Sequence, residues 1–189
     1  DIAIAIAGSA KTGLQILWGV GDGTFKPSEV IKGGGQPLTL ANIDVDNDGY
    51  GDLVTSSNVL NSMTLIRNNG NKTFTTLEDF ASGSFPKFVA VADFTGDGRP
   101  DIAVSNATDD LITVSLGRGD GTFTYPPIPH VVDEYPQGMV VGDFDNDGLI
   151  DMAVTCRDKN LVNILIKRNI VDPKPDNPVQ SVAKSEQAS

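Results

Sequence analysis

The chain has 189 residues, 39% of them hydrophobic, with 20 glycines and a formal net charge of −11. This balance predicts a globular, loop-rich protein, and the charge argues against nucleic acid or an anionic membrane surface as partner. No apolar run approaches bilayer-spanning length, so membrane insertion is not expected, and with one cysteine and one histidine neither a disulfide nor a zinc or Cys-His site has its usual partners.

In chain order, the opening DIAIAIA predicts a strand, and the glycine-rich GVGDGTF that ends at Phe25 predicts a tight turn whose phenylalanine re-enters the core at the start of another strand. After Pro37 comes LTLANI, then the loop DVDNDGYGD over 44–52, then LVTSS and MTLIRN, and a second glycine turn ending at Phe74. The order recurs after Pro86: KFVAVA, the loop DFTGDGRPD over 93–101, IAVSN, LITVSLG, and a turn ending at Phe123. FTYPPIPHVV follows, and its three prolines restrict it to a sheet edge. After Pro136 the order runs once more through QGMVVG, DFDNDGLID over 143–151, MAVTC and LVNILIK. The β-branched content and turn spacing favour strands over helices.

Four strands A to D, repeating about every fifty residues, fit the blade of a β-propeller, which cannot bury its faces without neighbours. The expected fold is all-β, with about four blades of four antiparallel strands at roughly 1–35, 36–84, 85–134 and 135–170, and a proline-rich polar tail over 171–189. Asp1 aligns with the last residue of the aspartate loops, so the first unit lacks strand A; the last lacks strand D. Fourteen strands are therefore expected, in a larger propeller completed by further sequence or by a second copy as a homo-oligomer.

The loops share the pattern D-x-[DT]-x-D-G-x-x-D, which gathers hard oxygen ligands at positions one, three, five and nine, with a carbonyl at seven and glycine at six for the sharp turn. That is chemistry for Ca2+. The first site takes Asp44, Asp46, Asp48 and Asp52 with the carbonyl of Tyr50; the third takes Asp143, Asp145, Asp147 and Asp151 with that of Leu149. The second, Asp93, Thr95, Asp97 and Asp101 with the carbonyl of Arg99, has one carboxylate fewer and is expected to bind more weakly. About three calcium ions per chain are expected. An EF-hand is excluded, because position twelve holds Thr55, Val104 and Val154 in place of glutamate.

The aspartate loops together with GDGTF resemble the FG-GAP or VCBS-type repeats of integrin α-subunit propellers and of secreted microbial proteins. The resemblance covers residues 1 to about 170 and implies a calcium-stabilised propeller for adhesion, sugar binding or scaffolding. The expected function is a non-catalytic module that recognises carbohydrate or protein, outside the cell or at its surface, where calcium sites of about 10⁻⁴ to 10⁻³ M are filled. The alternative is an oligomerisation scaffold or an accessory region of a larger secreted enzyme. Candidate ligand loops are KGGGQP, ASGSFP and VDEYPQ, with Phe85 and Tyr135 as stacking groups. Arg118-Gly119-Asp120 sits within a GDGTF turn, which favours a turn role over integrin recognition.

Overall fold

The computed structural model describes residues 1–8 and 12–168. Four antiparallel sheets follow one another in chain order. The first contains β1 (Ile2–Ile6), β2 (Gly13–Gly19) and β3 (Phe25–Pro27). The second contains β4 (Thr39–Ile43), β5 (Asp52–Ser57), β6 (Ser62–Asn68) and an outer edge split into β7 (Phe74–Thr76) and β8 (Phe80–Ala81). The third runs β9 (Pro86–Ala92), β10 (Asp101–Asn106), β11 (Leu111–Ser115) and β12 (Ile128–Val131); the fourth runs β13 (Pro136–Gly142), β14 (Asp151–Cys156) and β15 (Leu161–Leu165).

These are propeller blades, and the ring is not closed among the described residues. The strands B of the two middle sheets, β5 and β10, are flanked by sheet partners on both sides and buried throughout. Successive residues of a strand therefore serve different interfaces. Leu53 joins Leu14, Ile16 and Ile66 between the first two sheets, while its neighbour Val54 joins Met63, Val89 and Ile102 between the second and third. One residue further round the same pattern, Ala103 packs with Ile112, Met139 and Val154 between the third and fourth. Two of the polar residues in these strands are satisfied locally or across a seam: Thr55 Oγ1 donates to the Thr39 carbonyl at 2.8 Å and Ser105 Oγ to that of Gln137 at 2.7 Å.

The structure departs from the sequence expectation in three places. Fifteen strands form among the described residues, because Leu77–Asp79 interrupt the outer edge of the second sheet. Phe123 pairs with Gly117 only as an isolated bridge, and β12 begins at Ile128, beyond the clustered prolines. Phe74 and Phe123 do turn inward, stacking on Trp18 and Phe80 of the preceding sheet with ring centroids 6.3 and 5.4 Å apart. Phe25 has no preceding sheet among the described residues and is exposed. The tail expected over 171–189 falls outside the described residues.

Candidate functional site

Each aspartate loop joins strand A to strand B at one end of a sheet, and its first aspartate closes the turn. Asp44 Oδ1 and Oδ2 accept the N–H groups of Asp48 and Gly49, each at 3.1 Å. Asp143 repeats this with Asp147 and Gly148, at 3.1 and 2.9 Å, and Asp93 Oδ2 accepts Gly98 N–H at 2.8 Å. Position five caps position seven: Asp48, Asp97 and Asp147 accept the N–H of Tyr50, Arg99 and Leu149 at 2.8, 2.9 and 2.9 Å. Position six needs glycine, since Gly49, Gly98 and Gly148 have φ of 85°, 82° and 85°. Position four is also left-handed, with Asn47 at 56°, Gly96 at 82° and Asn146 at 62°. The sequence reading passed over it, although Asn, Gly, Asn at one register is the residue set that such a backbone selects.

The ninth aspartates are the most buried residues of the loops. Asp52 accepts Val45 N–H at 3.1 Å and Asn68 N–H at 2.7 Å; Asp101 accepts Phe94 and Gly117 at 2.9 and 2.8 Å, and Asp151 accepts Phe144 and Lys167 at 2.9 and 2.8 Å. Each therefore ties its loop to the end of strand C. Asp1 makes the equivalent bond, accepting Gly19 N–H at 2.7 Å, which fixes the register read from the sequence. Burial pushes the Asp52 and Asp101 carboxyls above the ordinary carboxylate value; their backbone hydrogen bonds offset part of this, and the charges of Asp46 and Asp48, or of Asp97 and Asp93, add to it.

Two of the three predicted clusters come together as potential metal ligands. Oxygens of Asp44, Asp46 and Asp48 lie within 4.8 Å of one another, as do those of Asp143, Asp145 and Asp147. In the first, Asp46 Oδ1 is buried with no hydrogen-bond partner, an orphaned acceptor of the kind a cation satisfies. The residues present thus fit a hard divalent ion. The second loop is arranged differently: Thr95 Oγ1 donates to Asp93 at 3.2 Å, and Arg99 Nε stands 3.9 Å from Asp97 Oδ2.

At the opposite ends of the strands, the turns before β9 and β13 gather a second group that the sequence only hinted at. Phe85 and Tyr135, each directly before a strand proline, are both left-handed with φ of 58°. Their N–H groups donate to Asn61 Oδ1 at 2.8 Å and Asp110 Oδ1 at 2.9 Å in the B–C turn of the preceding sheet, and their carbonyls accept Ala107 and Arg157 N–H, both at 3.1 Å, from their own. Lys87 Nζ lies 4.4 Å from the Phe85 ring centroid and 6.0 Å from that of Tyr135. The Arg157 guanidinium covers Tyr135 at 3.6 Å. Both rings are half-buried, at the mouths of two successive inter-sheet seams. No sequence signal marks the left-handed backbone, because aromatic residues rarely adopt it.

The remaining candidates resolve simply. Asp120 Oδ1 accepts both the N–H and the hydroxyl of Thr122, at 2.9 and 2.6 Å, as Asp22 does with Thr24, so the RGD aspartate is engaged in its turn. Those bonds hold both carboxyls below the ordinary value. Cys156 is buried, and burial, with the charges of Asp133 and Asp110, pushes its thiol up. No described helix is long and apolar enough to cross a membrane.

Comparison with known proteins agrees with this architecture. A solved structure of an Agrocybe aegerita lectin, described for specific recognition of non-reducing terminal N-acetylglucosamine, aligns with a TM-score of 0.55 and 21% identity over 80% of this chain and 44% of that one. The chain thus spans under half the length of that lectin. No curated protein sequence matches. The model of the FG-GAP-like repeat matches twice, over residues 44–104 and 93–154, each match running from one aspartate loop through the strand B after the next; the chain belongs to the FG-GAP-like repeat family.

Proposed function

We propose that this chain is a calcium-stabilised recognition module that binds carbohydrate, without catalysis of its own. The observation that carries the reading is the paired aromatic turn, in which Phe85 and Tyr135 are held left-handed with Lys87 beside both rings. A left-handed backbone costs a bulky residue about 1–2 kcal/mol, and such strain persists where it positions a side chain. A sugar presents an apolar ring face and a hydroxyl edge, which an aromatic rim and an ammonium group complement. That the lectin with the same fold recognises N-acetylglucosamine supports the ligand class.

Calcium has a structural role in this reading. Asp44, Asp46, Asp48 and Asp52 with the Tyr50 carbonyl would hold one ion, and Asp143, Asp145, Asp147 and Asp151 with the Leu149 carbonyl another. The Thr95 loop would hold a third more weakly. The ions neutralise the loop carboxylates and pin the A–B connections, at the end of the sheets away from the aromatic rim. Affinities of about 10⁻⁴ to 10⁻³ M suit an extracellular or cell-surface setting.

A glycan array in millimolar calcium tests the function. Retention of a defined glycan class is expected, with binding lowered at least about tenfold by Tyr135→Ala and by Lys87→Ala. If no glycan is retained while a protein ligand is captured through the same residues, the ligand class moves to protein; glycan binding untouched by both substitutions would remove the aromatic rim from the site.

A further inference from the structure

The motif that the function leaves unused, Arg118-Gly119-Asp120, lies in the turn that follows β11, and that turn is held between two aspartate loops. On one side stands the loop of its own sheet. Gly117 N–H, at the start of the turn, donates to Asp101 at 2.8 Å, and the Arg99 guanidinium donates to the Arg118 carbonyl at 3.4 Å. A Cβ on Gly119 would stand 3.2 Å from Arg99 Cδ, so the arginine lies directly over the turn. On the other side stands the loop of the preceding sheet. Gly121 N–H donates to the Val45 carbonyl at 3.3 Å, and Asn47 Nδ2 would stand 3.5 Å from the same added Cβ on Gly119. Both sides have equivalents elsewhere in the row. Tyr50, at the position of Arg99, covers Gly70, whose added Cβ would stand 2.6 Å from the ring. In the last seam Lys167 Nζ donates to the carbonyl of Phe94, the equivalent of Val45.

These contacts reach the candidate ligands through position two of each loop. Val45 N–H donates to Asp52, the ninth-position carboxylate. The Val45 carbonyl belongs to the peptide unit that leads into Asp46, whose buried Oδ1 has no partner. Position two therefore meets its own ninth aspartate with its N–H and the next sheet's turn with its carbonyl. We propose that the turn over 117–121 couples the first two aspartate loops, so that filling one with calcium raises the affinity of the other; this rests on the calcium reading of the loops. The coupling is a shared ordering cost. Asp101 and the Arg99 backbone, once held at a filled loop, hold the turn; the turn holds the Asp46 peptide, and the first loop has less order left to gain. Linkage makes the effect equal in both directions. Arg118-Gly119-Asp120 is then a link between two loops, and its aspartate is accordingly engaged within the turn.

Calcium titration of the isotope-labelled full chain by NMR, followed at the Gly49 and Gly98 amides, reads the two loops separately. Asp48→Asn, which removes a ligand of the first loop, should raise the calcium concentration that half-shifts Gly98 by about fivefold or more. Charge alone predicts the reverse, because an empty first loop is more negative than a filled one and attracts the second ion. Gly121→Pro removes the N–H donated to Val45 and cannot keep the turn's backbone, whose φ is 86°. In that background the effect of Asp48→Asn on Gly98 should fall within about twofold. If circular dichroism shows that Gly121→Pro does not fold, Arg99→Met takes its place, since it frees the turn from the second loop and keeps the position-seven carbonyl. A Gly98 midpoint unmoved or lowered by Asp48→Asn, or a Gly98 amide that ignores calcium while Gly49 responds, would overturn the coupling and leave the calcium reading standing. An effect undiminished by the turn variant would overturn the turn as its carrier. Two amides that both ignore calcium would overturn the calcium reading and the coupling with it.

Discussion

A buried acceptor with no donor costs about 1–3 kcal/mol, and a buried carboxylate without a counter-ion costs more. Asp46 and Asp52 bring both costs into one loop. The Asp52 carboxyl is raised above 3.8 when folded, so without metal its stabilising contribution is full below the unfolded value and is lost as pH rises through the folded one. The stability gap between wild type and Asp52→Ala should therefore narrow as metal-free buffer is taken from about pH 4 to pH 7. In saturating calcium the gap should widen over the same range, because the ion competes with the proton for the carboxylate. Urea unfolding of both proteins in the two buffers reads the slopes. Parallel slopes would mean that Asp52 acts only through its hydrogen bonds to Val45 and Asn68. The carboxylates could be read from the sequence because their spacing is itself the chemistry. Hidden from it were the second bonds of the ninth aspartates to strand C, which depend on tertiary contact, and the strained turns at Phe85 and Tyr135.

Strands were legible for a different reason. Covering both faces of strand B demands apolar or small residues at consecutive positions, and LVTSS, IAVSN and MAVTC meet that demand without the alternation of a half-exposed strand. Strand D, with one sheet partner, carries a weaker pattern, and there the reading missed the break at Leu77–Asp79 and the delayed start at Ile128. Equivalence between sheets also yields a quantitative expectation. Met63→Ala, in the seam between the second and third sheets, should cost about 2–5 kcal/mol. Val162→Ala, at the same repeat position but exposed, should cost within about 0.5 kcal/mol. Chemical denaturation of both variants at micromolar protein makes the comparison; equal losses would mean that Val162 is already covered within its own chain.

For the whole molecule, the charge of −11 is self-repelling, and the loop aspartates are a large part of it. Each calcium bound removes two units at a fixed point, whereas sodium screens without occupying a site. Calcium at ten times a site's dissociation constant adds about 1.4 kcal/mol per ion, or a rise of about 3–6 °C in Tm for a chain of this size. Sodium chloride at equal ionic strength should not reproduce that rise, and a melt in which both salts act alike would leave the loops without a specific ion. The four sheets, and the three-stranded form of the first and fourth among the described residues, could be read from the repeat period, because each aspartate loop marks a fixed place in its unit. The order of the sheets also bears on how the chain comes apart. β5 and β10 are held on every side, while the first and fourth sheets lose one neighbour each. Units coupled chiefly to their neighbours open locally from the ends of the row before the whole unfolds, so amide protection should be highest in the two middle sheets and fall toward the first and fourth; uniform protection across all four would mean that the sheets open only together.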